Sequence, residues 1–112
     1  MSNISYNDFL NIDIRVGTII SAENNNSLKN PYIIMKIDFG QLIGIKKSAA
    51  QLQANYDPIN LINKQIVAVI NFPNKQIGNI ISEVLVLGFP DKKNEPILVS
   101  PDLIVKNGEK LF

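Results

Sequence analysis

The sequence contains neither cysteine nor histidine. Without thiols there can be no disulfide, no thiolate nucleophile and no Cys-based metal site. Without imidazole the commonest general base and the commonest metal ligand are also missing. A nucleophilic serine would have to borrow a lysine or a carboxylate as its base. Ser48 directly follows Lys47, but neighbouring strand residues point to opposite faces, so the pair makes a poor dyad. The acidic pairs Asp8/Asp13 and Asp91/Glu95 lie in terminal or loop stretches with no partners implied. Gly78 and Gly88 are isolated turn glycines, not parts of a phosphate-binding loop. The expectation is a protein that is not an enzyme and uses neither cofactor nor metal.

Other features are scarce as well. No apolar run approaches the roughly 18 residues of a membrane span. The start, MSNISYNDFL, lacks the basic and apolar segments of a secretory signal, and a cytoplasmic protein is expected. At 112 residues, 46% of them hydrophobic and 19% charged, the chain reads as a single domain covering residues 1–112.

Net charge is only +1, yet it is unevenly spread. Residues 15–75 hold seven cations (Arg15, Lys29, Lys36, Lys46, Lys47, Lys64, Lys75) against Glu23, Asp38 and Asp57, a balance of +4. Residues 76–112 carry four lysines against five acids, and residues 1–14 carry only Asp8 and Asp13. The basic charge is concentrated in the middle of the chain.

The pattern of elements is mostly β. Ser5-Tyr6-Asn7-Asp8 has the form of a capping box before one short helical turn. Ile12, Ile14 and Val16 alternate with Asp13, Arg15 and Gly17, the period of a half-buried strand running on to Ala22. Asn24-Asn25-Asn26-Ser27 reads as a loop. Residues 32–39 form a second strand, 42–47 a third, 65–72 a fourth and 83–87 a fifth, with 96–99 and 111–112 as extras. Asp57-Pro58 opens a short helix between the third and fourth strands. Five strands with one small helix in that place is the element order of the OB-fold, a partly open Greek-key barrel.

In IVAVI, Ile66, Ala68 and Ile70 face one way and Val67 and Val69 the other, so both faces of the fourth strand are apolar. Its outer face needs cover, from a terminal segment or a second subunit, and a symmetric homodimer is favoured. OB-folds hold oligonucleotides on strands two and three and the adjoining loops. Lys36, one or both of Lys46 and Lys47, Arg15 and Lys75 can line one side of such a barrel. Aromatics for base stacking are few, five Phe and three Tyr. Phe39 and Phe72 read as core and Tyr32 as an exposed candidate. Phosphate contacts are therefore expected to dominate.

Five blocks together carry a resemblance: DIRVGTI (13–19), KIDFG (36–40), IGIKKSAAQL (43–52), Asn63-Lys64-Gln65 and VAVINFPNKQIGNIISEVLVLG (67–88). In this order, over nearly the whole chain, they resemble the CsaA family of small homodimeric proteins with a tRNA-binding OB domain. That domain is related to the carboxyl-terminal appendage of some methionyl-tRNA synthetases. The resemblance implies an OB barrel that dimerises through terminal extensions. It implies tRNA as a partner, bound at Arg15, Lys36, Lys46, Lys47, Asn71, Lys75 and Ser82. It also implies an alternative, chaperone-like capture of unfolded polypeptide, with links to protein export, for which Ile77, Ile80 and Ile81 are candidates. Where the appendages carry Ser-x-Gly-Met this chain reads Ser82-Glu83-Val84-Leu85, a form shared by CsaA-like members.

Overall fold

In the computed structural model, which describes residues 2–26 and 30–112, the described residues form nine strands and two short helices. Helix α1 (Tyr6–Leu10) carries the expected capping box: the Asp8 N–H donates to Ser5 Oγ at 3.1 Å and the Ser5 N–H to Asp8 Oδ2 at 3.1 Å. The main sheet is antiparallel and contains β1 (Ile14–Asn25), β2 (Tyr32–Asp38), β3 (Ile45–Ala50), β4 (Gln65–Val69) and β7 (Leu85–Val86), in the order β3-β2-β1-β4-β7. Two hairpins stand outside it, β5 (Lys75–Ile77) with β6 (Ile80–Ser82) and β8 (Gly88–Pro90) with β9 (Pro96–Leu98). The expected OB-type barrel is the one that forms.

Strand β1 makes the curl. Its first five residues pair with β4 from Ile14↔Val69 to Thr18↔Gln65, and its remainder pairs with β2 from Thr18↔Asp38 to Asn25↔Tyr32. The register slips between Ile19 and Ser21, where Ile20 is extra and 42% exposed. A bulge of this kind bends the strand and increases its twist, which lets one long strand serve two walls of a barrel.

Inside lie Ile19, Ile33, Met35, Ile37, Phe39, Leu52, Leu61, Ile66, Ala68 and Val84. Helix α2 (Pro58–Leu61) lies against β1 and supplies Leu61, which is fully buried. Pro58 stands at its start as the sequence requires, though the Asp57 side chain makes no cap bond.

Every residue of β4 is buried. Ile66 and Ala68 belong to the barrel core, while Val67 and Val69 join Ile14 in a second cluster on the outer face, packed by Leu87 and Val99. That face is covered by the chain's own carboxyl-terminal stretch, the first of the two alternatives left by its apolar pattern. Val67 N–H donates to the Val99 carbonyl at 3.2 Å, and residues 108–111 run along the free edge of β1. There the Gly108 N–H reaches Val16 O and the Leu111 N–H reaches Ile14 O, both at 2.8 Å. The Gln65 carboxamide bonds both backbone groups of Val105, at 2.6 and 3.0 Å, as a neighbouring strand would. It also donates to Asn107 Oδ1, which accepts from Thr18 Oγ1 at 2.7 Å.

Several boundaries differ from the sequence reading. Asn24 and Asn25 continue β1 instead of opening a loop, and Ser27 lies outside the described residues. Strand β3 begins at Ile45, not Leu42, because residues 40–44 form a tight turn. Gly40 and Gly44 take φ values of 89° and 85° there, a left-handed backbone that suits glycine. Strand β4 stops at Val69, well short of Pro73. Hairpin β5–β6 replaces an expected connection, and Gly78 supplies the positive φ of its two-residue turn.

Gly17 marks a close approach inside the barrel. A Cβ there would stand 2.7 Å from both Ile37 Cγ2 and Phe39 Cδ1, two core side chains with nowhere to go. Gly17→Ala should therefore cost roughly 1–3 kcal/mol through overpacking, read as a lower urea midpoint with an unchanged slope. An unaltered midpoint would mean that Phe39 has room to move.

Candidate nucleic-acid interface

The barrel closes where β3 meets residues 82–84, and side chains do much of the closing. Glu83 N–H donates to the Lys47 carbonyl at 2.8 Å, and the Lys47 N–H returns a bond to Glu83 Oε1 at 2.9 Å. Ala49 N–H donates to Ser82 Oγ at 3.1 Å, and both Ser48 Oγ and Ser82 Oγ reach the Val84 carbonyl at 3.3 Å. Because β6 ends at Ser82, this seam also holds hairpin β5–β6 against β3.

Beneath and beside that hairpin run three adjoining depressions. Lys36 and Lys47 are direct cross-strand partners on β2 and β3, both exposed, and share a cavity of about 390 Å³ with Ser21, Glu23, Ile34 and Ile80. Lys47 also borders a depression of about 420 Å³ beside Asn74, Asn79, Ile81 and Glu83. On the other flank of the hairpin, Lys75 stands over an apolar groove of about 470 Å³ that includes Tyr32, Phe72 and Glu83. Like charges directly opposite on a sheet repel, a repulsion that an anion between Lys36 and Lys47 would offset.

The other expected site residues are placed elsewhere. Lys46 lies opposite Ile37 and, by strand alternation, on the face opposed to Lys47; it is half-buried. Arg15 is six positions before Ser21, the partner of Lys36, which is roughly 20 Å along a strand. Its guanidinium is engaged locally: Nε donates to Asp13 Oδ1 at 2.6 Å and Nη1 to the Gly108 carbonyl at 2.9 Å. Asn71 ties the end of helix α1 to the barrel, donating to Asn11 O at 2.8 Å and accepting from the Asp13 N–H at 2.9 Å. Ser82 is 7% exposed with its hydroxyl committed to the seam. The three isoleucines separate. Ile77 lines the groove with Lys75, Ile80 is 9% exposed above the Lys36–Lys47 cavity, and Ile81 is 49% exposed.

Phe72 corrects the sequence reading. It was expected in the core but is 49% exposed on the groove wall. The signal was present in Pro73, which has no N–H for a ladder and so makes a poor continuation of a central strand. In the sequence Glu83 is one acid among lysines and carries no pattern; only the closed barrel shows its carboxylate bonding the backbone of β3.

Comparison with known proteins bears on the family and the fold. Residues 14–110 match the family described as "Putative tRNA binding domain". The solved structure of a chaperone CsaA from Bacillus anthracis is similar at 41% identity and a TM-score of 0.92, covering 99% of this chain and all of that one. A CsaA chaperone structure from Picrophilus torridus is similar at 47% identity and a TM-score of 0.89, covering 98% of this chain and all of that one. A methionine–tRNA ligase of Pyrococcus horikoshii is 32% identical over 111 residues, or 99% of this chain. The chain spans about 15% of the length of that ligase.

Ser82→Ala tests the seam. Leaving the buried Ala49 N–H without its acceptor should destabilise the fold by roughly 1–3 kcal/mol, seen as a lower thermal midpoint. A variant as stable as the parent would free Ser82 for a role in binding.

Proposed function

The chain belongs to the tRNA-binding-domain family, and we propose that it is a non-catalytic protein that holds tRNA on the β2–β3 face and the β5–β6 hairpin. The observation that carries this reading is the convergence of Lys36, Lys47 and Lys75 around one hairpin. Three cations face two acids there, Glu23 and Glu83, and the Glu83 carboxylate already accepts a backbone N–H. Among the described residues no three His, Cys, Asp or Glu side chains come together as a metal site. With so few cations, the bound RNA is held by a handful of phosphate contacts and by shape, and binding is strongly salt-dependent. A cytoplasmic setting follows from that ligand.

Capture of unfolded polypeptide is the second reading. It is favoured by the similarity to the two CsaA chaperone structures and by the half-exposed Ile81.

We also propose that two copies pair through the outer face. There Phe112 is fully exposed, and Leu111 and Val105 are 47% and 41% exposed. All three border an apolar groove of about 440 Å³ with Val67, Val99 and Pro101. A patch of this kind on a small protein marks an interaction site. Light scattering should give twice the chain mass, and Phe112→Asp should return the monomer; a monomeric parent overturns the pairing.

For RNA, fluorescence anisotropy of labelled tRNA at two salt concentrations is the direct test. The double variant Lys36→Ala, Lys47→Ala should bind more weakly, with the salt slope reduced by about two. Lys46→Ala should bind as the parent does. Equal loss in both variants would remove the β2–β3 face as the site.

A further inference from the structure

We infer that the groove between Phe72 and Tyr32 takes one unpaired nucleobase of the bound RNA, stacked on Phe72, with Lys75 on the adjoining phosphate. This rests on the RNA reading above and names the part of the ligand that the groove selects.

Phe72 is a large aromatic ring left 49% exposed just after β4, where it belongs to no strand. Covering such a ring is favourable, so a flat partner in the groove gains from stacking on it. Tyr32, half-buried at the start of β2, lines the same groove. Ala49, at the end of β3, also lines the groove, and its short side chain lets a flat group approach the sheet.

Polar groups sit at the edges, as base recognition requires. Gln51 borders the groove, and among the described residues its carboxamide has no hydrogen-bond partner. It offers donors and an acceptor to a base edge. Among the described residues Lys75 is the one cation that lines the groove. At about 470 Å³ the space falls within the size of small-ligand pockets, roughly 300–1,000 Å³.

The groove adjoins the lysine face at one residue: Glu83 lines both this groove and the depression bordered by Lys47. A nucleotide carries a π-face and an anion together, and the groove offers an aromatic ring and one cation to meet them. Stacking on an aromatic is also tolerant of sequence, because every base has a π-face.

The chain contains no tryptophan, so Phe72→Trp places a single reporter in the groove. A single-stranded RNA oligonucleotide should quench its fluorescence, and the same sequence annealed into a duplex should not. In parallel, Phe72→Ala should lower affinity for tRNA about tenfold, the usual scale for one lost stack, with the salt slope unchanged because no cation is removed. Phe72→Leu, which keeps apolar bulk without the π-face, should not restore binding.

Equal quenching by duplex and single strand, or parental affinity in Phe72→Ala, overturns the inference. So does quenching by an unfolded polypeptide but not by RNA, which would give the groove to a peptide. Failure of the lysine face looks different. There the double lysine variant binds tRNA normally, while the single-strand quench in the Phe72→Trp protein remains.

Discussion

Closure of the barrel rests on a short seam in which side chains stand in for a strand. The two-residue β7 is too short to pair with β3 along its length, so the edge of β3 is satisfied by Glu83, Ser82 and the Val84 carbonyl. An open edge would leave backbone donors and acceptors unpaired beside an apolar core, at the full desolvation cost of each group. The two sides of the seam lie 33 to 36 residues apart in the chain.

The same seam builds the binding surface. Hairpin β5–β6 ends in Ser82, so fixing Ser82 against Ala49 fixes the hairpin over β3. Lys47 uses its N–H and carbonyl in the seam while its side chain stays exposed beside Lys36. One residue thus contributes to stability through its backbone and presents charge through its side chain. Ser82 and Glu83, by contrast, are absorbed by closure. The groups that close the barrel here are the serine hydroxyl, a backbone carbonyl and an acid.

At the other end of the molecule the carboxyl-terminal stretch does for β1 what residues 82–84 do for β3. Once β1 bends away from β2, the edge of its first half is free, and residues 108–111 take it. Gln65 and Asn107 lock that stretch through side-chain bonds to Val105 and Thr18. The outer face of β4 is buried in consequence, but the covering segment is itself apolar outward, with Leu103 and Ile104 at 76% and 80% exposure. Covering one apolar face has moved the problem outward by one layer.

Period-two alternation and the Asp57-Pro58 start were enough to read a five-stranded barrel with a helix between its third and fourth strands, because both signals are local and tied to burial. The apolar pattern on both faces of IVAVI was likewise sufficient to require a covering layer. Which lysines share a surface was not legible. Alternation showed that Lys46 and Lys47 diverge, but register alone set Lys47 opposite Lys36, and a slip of one residue would have exchanged their roles. Asn71, Ser82 and Arg15 look free in one dimension because partners such as Asn11, Ala49 and Gly108 lie 33 to 93 positions distant. Composition and periodicity thus determined the architecture and the presence of a basic middle. Only the tertiary structure decided which polar groups hold the barrel shut and which remain to meet a ligand, since hydrogen-bond partners are chosen by proximity in space.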